Sequence, residues 1–204
     1  MTNGTKAVLA AALAFLLGKP CALWWFVAQK SGTPAAEPTK SALGSLLAEG
    51  PELHATLRTL DIDSIDQLPN GVAPPGNPVL SSDPEFVEAI SRAGSQGNLD
   101  REGIRSVLYA RYAGDPESPG AEPGVLGLYG LEAATVADAD ERERALREIW
   151  GKNASLGVAR VHRKGLVLVV VWSYHGAPVS LACWETVNAG VVERLRAASS
   201  SAPE

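Results

Sequence analysis

Seven consecutive apolar residues, Leu166-Val-Leu-Val-Val-Val-Trp172, limit what this chain can become more than any other stretch. Four of the seven are β-branched, which suits a strand. A strand with one face in water would alternate apolar with polar residues; an unbroken run requires cover on both faces. The preceding stretch, Leu156-Gly-Val-Ala-Arg-Val-His-Arg163, has strand character too, and Lys164-Gly165 between them has the length of a two-residue hairpin turn. With that turn, Gly157, Ala159 and Val161 lie opposite Trp172, Val170 and Leu168, small residues against large. The sequence therefore predicts a buried hairpin over 156–173 at the centre of a small sheet. Its basic residues, Arg160, His162, Arg163 and Lys164, are the candidate binding residues, suited to an acidic partner.

Charge narrows the function. Residues 31–138 carry six basic and 16 acidic groups, and residues 139–204 carry nine and seven. The part after residue 30 is thus net acidic, which argues against a general nucleic-acid binder. The hairpin half is the better place for an anionic surface to dock.

The first 30 residues read as an address. Lys6 precedes an apolar run over 7–17, Gly18-Lys19-Pro20 interrupts it, and Cys21 to Ala28 resumes it. Taken together, 7–28 is long enough to span a bilayer. Trp24 and Trp25 suit the membrane interface, and Lys30 suits the aqueous side. Lys19 and Pro20 weaken a clean span, so a cleaved export signal is the alternative, giving a secreted or periplasmic protein. Either reading makes this segment an export or membrane signal and not part of the core, and the domain after it is expected outside the cytoplasm.

Residues 31–40 form a polar linker, 41–198 a single α+β domain, and 199–204 a frayed tail. Leucines at 43, 46 and 47, then 53, 57 and 60, predict two short helices split at Gly50-Pro51. Ser82-Asp83-Pro84-Glu85 is a helix start, with a capping side chain and Pro in the first turn. Asp100 is read as the cap of another helix, with Ile104, Val107, Leu108 and Tyr112 along one side. Val125–Tyr129 is a short strand. Asp138 to Trp150 is the strongest helix, with acids in its first turn and Glu143 four residues before Arg147. After the hairpin, Leu181 to Ala197 is a last helix. The order implies a helical part at 41–113 and a sheet part at 125–198, with helices covering a small, mostly antiparallel sheet.

The motifs for chemistry are sparse. Asp63-Ser64-Ile65-Asp66 resembles the Asp-Ser-Leu-Asp of acyl carrier proteins, a family whose serine carries phosphopantetheine and opens a long helix. Here Leu68-Pro69 follows at once and would break that helix, so a capped turn is the reading. The same aspartates lack the glycine and distal glutamate of a calcium loop. His54, His162 and His175 are isolated and nothing has zinc spacing. Cys183 with His162 or His175 is the only nucleophile–base pair that sequence order offers, and Cys183 beside Trp184 reads better as a small core residue. No catalytic residue, metal or cofactor is assigned. The reading is a membrane-tethered, extracytoplasmic, non-catalytic domain that serves as a structural or protein-binding subunit. The alternative is a small exported hydrolase or apolar-ligand-binding domain.

Overall fold

The computed structural model describes residues 43–200 except Asp66, Gln96 and residues 153–156. All of these belong to one compact unit, Lys40–Glu204. Six strands, β1 (Arg58–Thr59), β2 (Val79–Ser81), β3 (Ile104–Gly114), β4 (Gly124–Ala133), β5 (Gly157–Lys164) and β6 (Val167–Tyr174), form one sheet. Its order is β1-β3-β4-β6-β5, with β2 also on β3, and every pairing is antiparallel. Four helices are described: α1 (Gly50–Leu53), α2 (Pro84–Gly94), α3 (Val136–Lys152) and α4 (Leu181–Ser200). The α+β class read from the sequence is what forms.

The hairpin is present in a different register. Gly165 and Leu166 make the turn, Lys164 pairs with Val167, and Ala159 faces Trp172 while Val161 faces Val170. This is two residues along from the expected pairing, so each side chain keeps its face. Gly165 adopts φ 59°, as the first turn position of a II′ hairpin demands. Placing that glycine second would have put Lys164 at positive φ. The hairpin is also not central: β6 is an inner strand, whereas β5 is the sheet's outer edge.

Both faces of the inner strands are covered. On one face Leu108, Ala110 and Tyr112 of β3, Leu126 and Leu128 of β4 and Val167, Val169 and Val171 of β6 pack against Cys183, Trp184, Val187, Val191 and Leu195 of α4. Leu43, Leu46, Leu53 and Leu57 complete that layer. On the other face Val107, Tyr109, Leu131, Leu168 and Val170 meet Phe86 and Ile90 of α2 and Ala139 and Leu146 of α3. This double burial is why β6 is apolar at every position.

Double burial also explains the main misreading. The spacing of Ile104, Val107, Leu108 and Tyr112 fits a helix, yet Ile104–Gly114 is the longest strand. A strand buried on both sides supplies apolar residues at every offset, including helical ones. Asp100 caps a turn there: Glu102 N donates to its Oδ1 at 3.0 Å, Ile104 N donates to Arg101 O, and Gly103 sits at φ 68°. The two helices expected over 41–60 are likewise a 3-10 turn at Gly44–Leu46, the four-residue α1 and strand β1. The section 41–113 thus contributes three strands. Ser64 ends a 3-10 turn, Ile62–Ser64, so the segment is a turn as read and opens no long helix, although Asp61 at its start makes no side-chain cap hydrogen bond.

The other helices follow their sequence signals. Asp83 Oδ1 accepts from Glu85 N and Phe86 N to start α2. Helix α3 begins at Val136, two residues before Asp138, because Thr135 caps it: Asp138 N donates to Thr135 Oγ1, and that hydroxyl donates to Asp138 Oδ2.

Candidate functional site

The two long edges of the sheet are treated differently. On the outer side of β3, β1 pairs with Tyr112 and Ala113, and β2 pairs with Val107 to Tyr109. Asn77 fills the gap between them: its Nδ2 donates to Arg111 O and its Oδ1 accepts from Arg111 N. That edge is closed by short pieces and a side chain, a common protection against unwanted pairing. At the opposite edge, no strand among the described residues pairs with the outer side of β5.

A two-residue turn fixes which groups that edge presents. Its flanking pair, Lys164 and Val167, is hydrogen-bonded, and bonded and non-bonded pairs then alternate down the ladder. Val158, Arg160 and His162 therefore bond inward to β6. Ala159, Val161 and Arg163 turn their N–H and C=O groups outward.

The four basic residues of the hairpin do not form one surface. Arg160 points toward α4 and makes a two-pronged pair with Glu185 at 2.7 and 2.8 Å, its guanidinium 5.9 Å from the centre of the Trp184 ring. His162, on the same side, meets Asn188 Oδ1 through Nε2 at 2.7 Å. Asn188 gives its Nδ2 protons to Trp184 O, so its oxygen is the acceptor and His162 Nε2 the donor. Arg163 points the opposite way, toward α3, where Nη1 contacts Asp140 Oδ1 at 2.5 Å and Glu143 Oε2 at 3.0 Å. Lys164 is exposed beside the turn. The hydrogen bond from Arg160 holds the Glu185 carboxyl below the usual range. For Glu143, burial pushes upward, but hydrogen bonds and charge from Arg147 and Arg163 outweigh it and the net direction is down.

Two grooves adjoin β5 and meet at Arg160. One, about 350 Å³, runs between β5 and α3, with Ala159 to His162 on one wall and Arg147 and Trp150 on the other. The second, about 410 Å³, lies around Val158, Tyr174, Pro178, Leu181 and Trp184. Val158 is 57% exposed, Tyr174 51% and Leu181 68%. Among the described residues only Ile62 and Val136 are comparably exposed large apolar side chains. Three of five thus gather at one groove, a concentration that marks an interaction surface. Sequence reasoning missed Val158, Tyr174 and Leu181; the run's end at Trp172 and the helix start at Leu181 gave no sign that they would converge. A larger hollow of about 510 Å³ near the start of α2 is lined by Glu88, Asp100, Glu102 and Arg105. There Glu88 is held by Arg92 and the backbone of Arg101, and Asp100 by Arg142, so its polar groups serve the loop.

Cys183 is buried and burial raises its thiol pKa, with Thr56 as its hydrogen-bonding neighbour. His162 is engaged by Asn188, and His175 is exposed beyond β6. Among the described residues no group of three His, Cys, Asp or Glu side chains is placed to hold a metal. The membrane-interface residues Trp24, Trp25 and Lys30 lie outside the described residues, and no described helix is long and apolar enough to cross a membrane. No family model matches the chain, and no curated protein or solved structure is significantly similar to it.

Proposed function

We propose that this chain is a membrane-tethered, extracytoplasmic subunit that binds another protein through the groove around Val158, Tyr174 and Leu181. The observation that carries the reading is the gathering of these exposed apolar side chains beside the one long sheet edge left open among the described residues. An apolar surface of this kind is costly in water and gains when a partner covers it, at roughly 25 cal/mol per Å² of apolar area. The tether is the reading of residues 1–30, supported by their two apolar runs with Trp24, Trp25 and Lys30 at the far end.

The test is recovery of partners from detergent-solubilised membranes with a photo-crosslinking residue at position 158, and with one at the exposed but isolated position 136. A defined adduct at 158, absent at 136 and lost in the Tyr174→Ser, Leu181→Ser double variant, is the expected result. Equal labelling at both positions, or an adduct indifferent to the double variant, refutes the proposal.

A further inference from the structure

We propose that the partner adds to the sheet as a strand along β5, contributing an extended segment that carries acidic side chains. This rests on the protein-binding reading above and specifies its mode. The outward N–H and C=O groups of Ala159 and Val161 open into the groove walled by Trp150 and Arg147. An extended segment lying there completes the backbone bonds of the edge, while its alternate side chains reach the groove walls. The opposite edge cannot take this role, since β1, β2 and Asn77 occupy it.

Charge selects the occupant. Of the groove's charged and titratable lining, Arg147 stands on the α3 wall, while Arg160 and His162 line it along the strand and turn their side chains to the α4 face. The outward-facing side chains of an added strand on that face would meet them there, and no carboxylate is among the lining residues. The acids that pair with the two arginines, Glu143 and Glu185, stand outside that lining on α3 and α4. β5 carries Arg160, Arg163 and Lys164 and no acid, so pairing with β5 of a second copy would bring together two strands of like charge with nothing on either to offset it. Glutamates or aspartates on the incoming strand reverse the sign of that term. The groove at Val158 and Tyr174, which also holds Glu117 and Glu185, then receives an apolar, uncharged end of the segment beyond Ala159.

The probe is a fluorescent ten-residue peptide alternating glutamate with valine, titrated by anisotropy against the full-length protein in detergent. It is expected to bind at least about tenfold more tightly than the same peptide with lysine for glutamate. Methylating the backbone amides on one edge of the peptide should abolish binding, and methylating those on the other edge should leave it unchanged. Ala159→Pro removes one outward N–H and no inward ladder bond, a substitution edge strands tolerate. It should weaken binding at least about tenfold with little change in thermal midpoint. If that variant misfolds, the two methylated peptides decide the matter alone. Equal affinity for the glutamate and lysine peptides, or indifference to methylation on both edges, overturns strand addition. Should that happen while the Tyr174→Ser, Leu181→Ser variant still loses its cellular partner, the groove remains a protein-binding surface and only the mode is wrong.

Discussion

At the scale of single residues, Gly127 shows how tightly the inner sheet is fitted. It lies between Arg111 and Trp172 in one row across β3, β4 and β6, and the Trp172 indole occupies the space where a side chain would begin. A Cβ there would stand 2.2 Å from indole carbons. Tyr129 stacks on the same ring with centroids 5.5 Å apart, and the Arg111 guanidinium lies 5.9 Å from its centre. The fit has a cost, since Trp172 Nε1 and Arg111 Nε are buried with no acceptor, and such a donor costs about 1–3 kcal/mol. Gly127→Ala should therefore destabilise at the upper end of overpacking, about 3 kcal/mol, lowering the thermal midpoint by roughly 6–12 °C. Gly151→Ala, whose Cβ meets nothing, should be neutral or gain no more than about 1 kcal/mol. Thermal denaturation followed by near-UV circular dichroism distinguishes the two, and equal midpoints would contradict this account of Gly127. The residue types were legible in the sequence; that this glycine lies under this tryptophan depends on a pairing between β4 and β6, 45 positions apart, which no local pattern encodes.

At the scale of elements, side chains of β5 tie the edge of the sheet to a helix on each face. Arg160 and His162 hold α4, and Arg163 holds α3. The sequence reading grouped these residues because they are neighbours in the chain, but successive side chains of a strand point to opposite faces. Their signal as a basic cluster and their role as separate clamps are thus both consequences of one strand. Arg163 has a side-chain exposure of 19%, and Glu143 of 23%, so the contact is screened less than a surface pair. Arg163→Met should cost about 1 kcal/mol at neutral pH, more than its place near the end of the strand would suggest. Its pH dependence has a definite sign. A carboxyl whose folded pKa lies below its unfolded value stabilises the fold above the unfolded value, and that stability is lost as pH falls through the folded one. Glu143 is lowered from 4.5, so the gap between wild type and Arg163→Met should be full at pH 6 and shrink as pH drops below about 4.5. Denaturation midpoints of both proteins from pH 3 to 7 check this; a constant gap would show that the loss is one of packing and not of charge.

At the scale of the whole molecule, the proposed tether and the proposed groove make separable demands. If residues 1–30 hold the chain at a membrane, full-length protein should remain in the membrane fraction after alkaline carbonate extraction, and a chain beginning at Ser41 should not. Recovery of the full-length chain in the soluble cytoplasmic fraction would refute the tether and leave the groove untouched. The sequence by itself determined those properties that act over a few residues. It set the apolar run of β6, the capped start of α2, the existence of helices α3 and α4 and the α+β class, because propensity, capping and periodicity are local. It left β3 disguised as a helix, since a strand buried on two faces has no period to read. Only the tertiary structure decided that β5 is the outermost strand, that Asn77 closes the other edge, and that Val158, Tyr174 and Leu181 meet beside the open one. Strand order is set by which buried faces cover one another across the whole chain, and an edge is defined by what fails to pair with it, a relation that no single stretch of sequence contains.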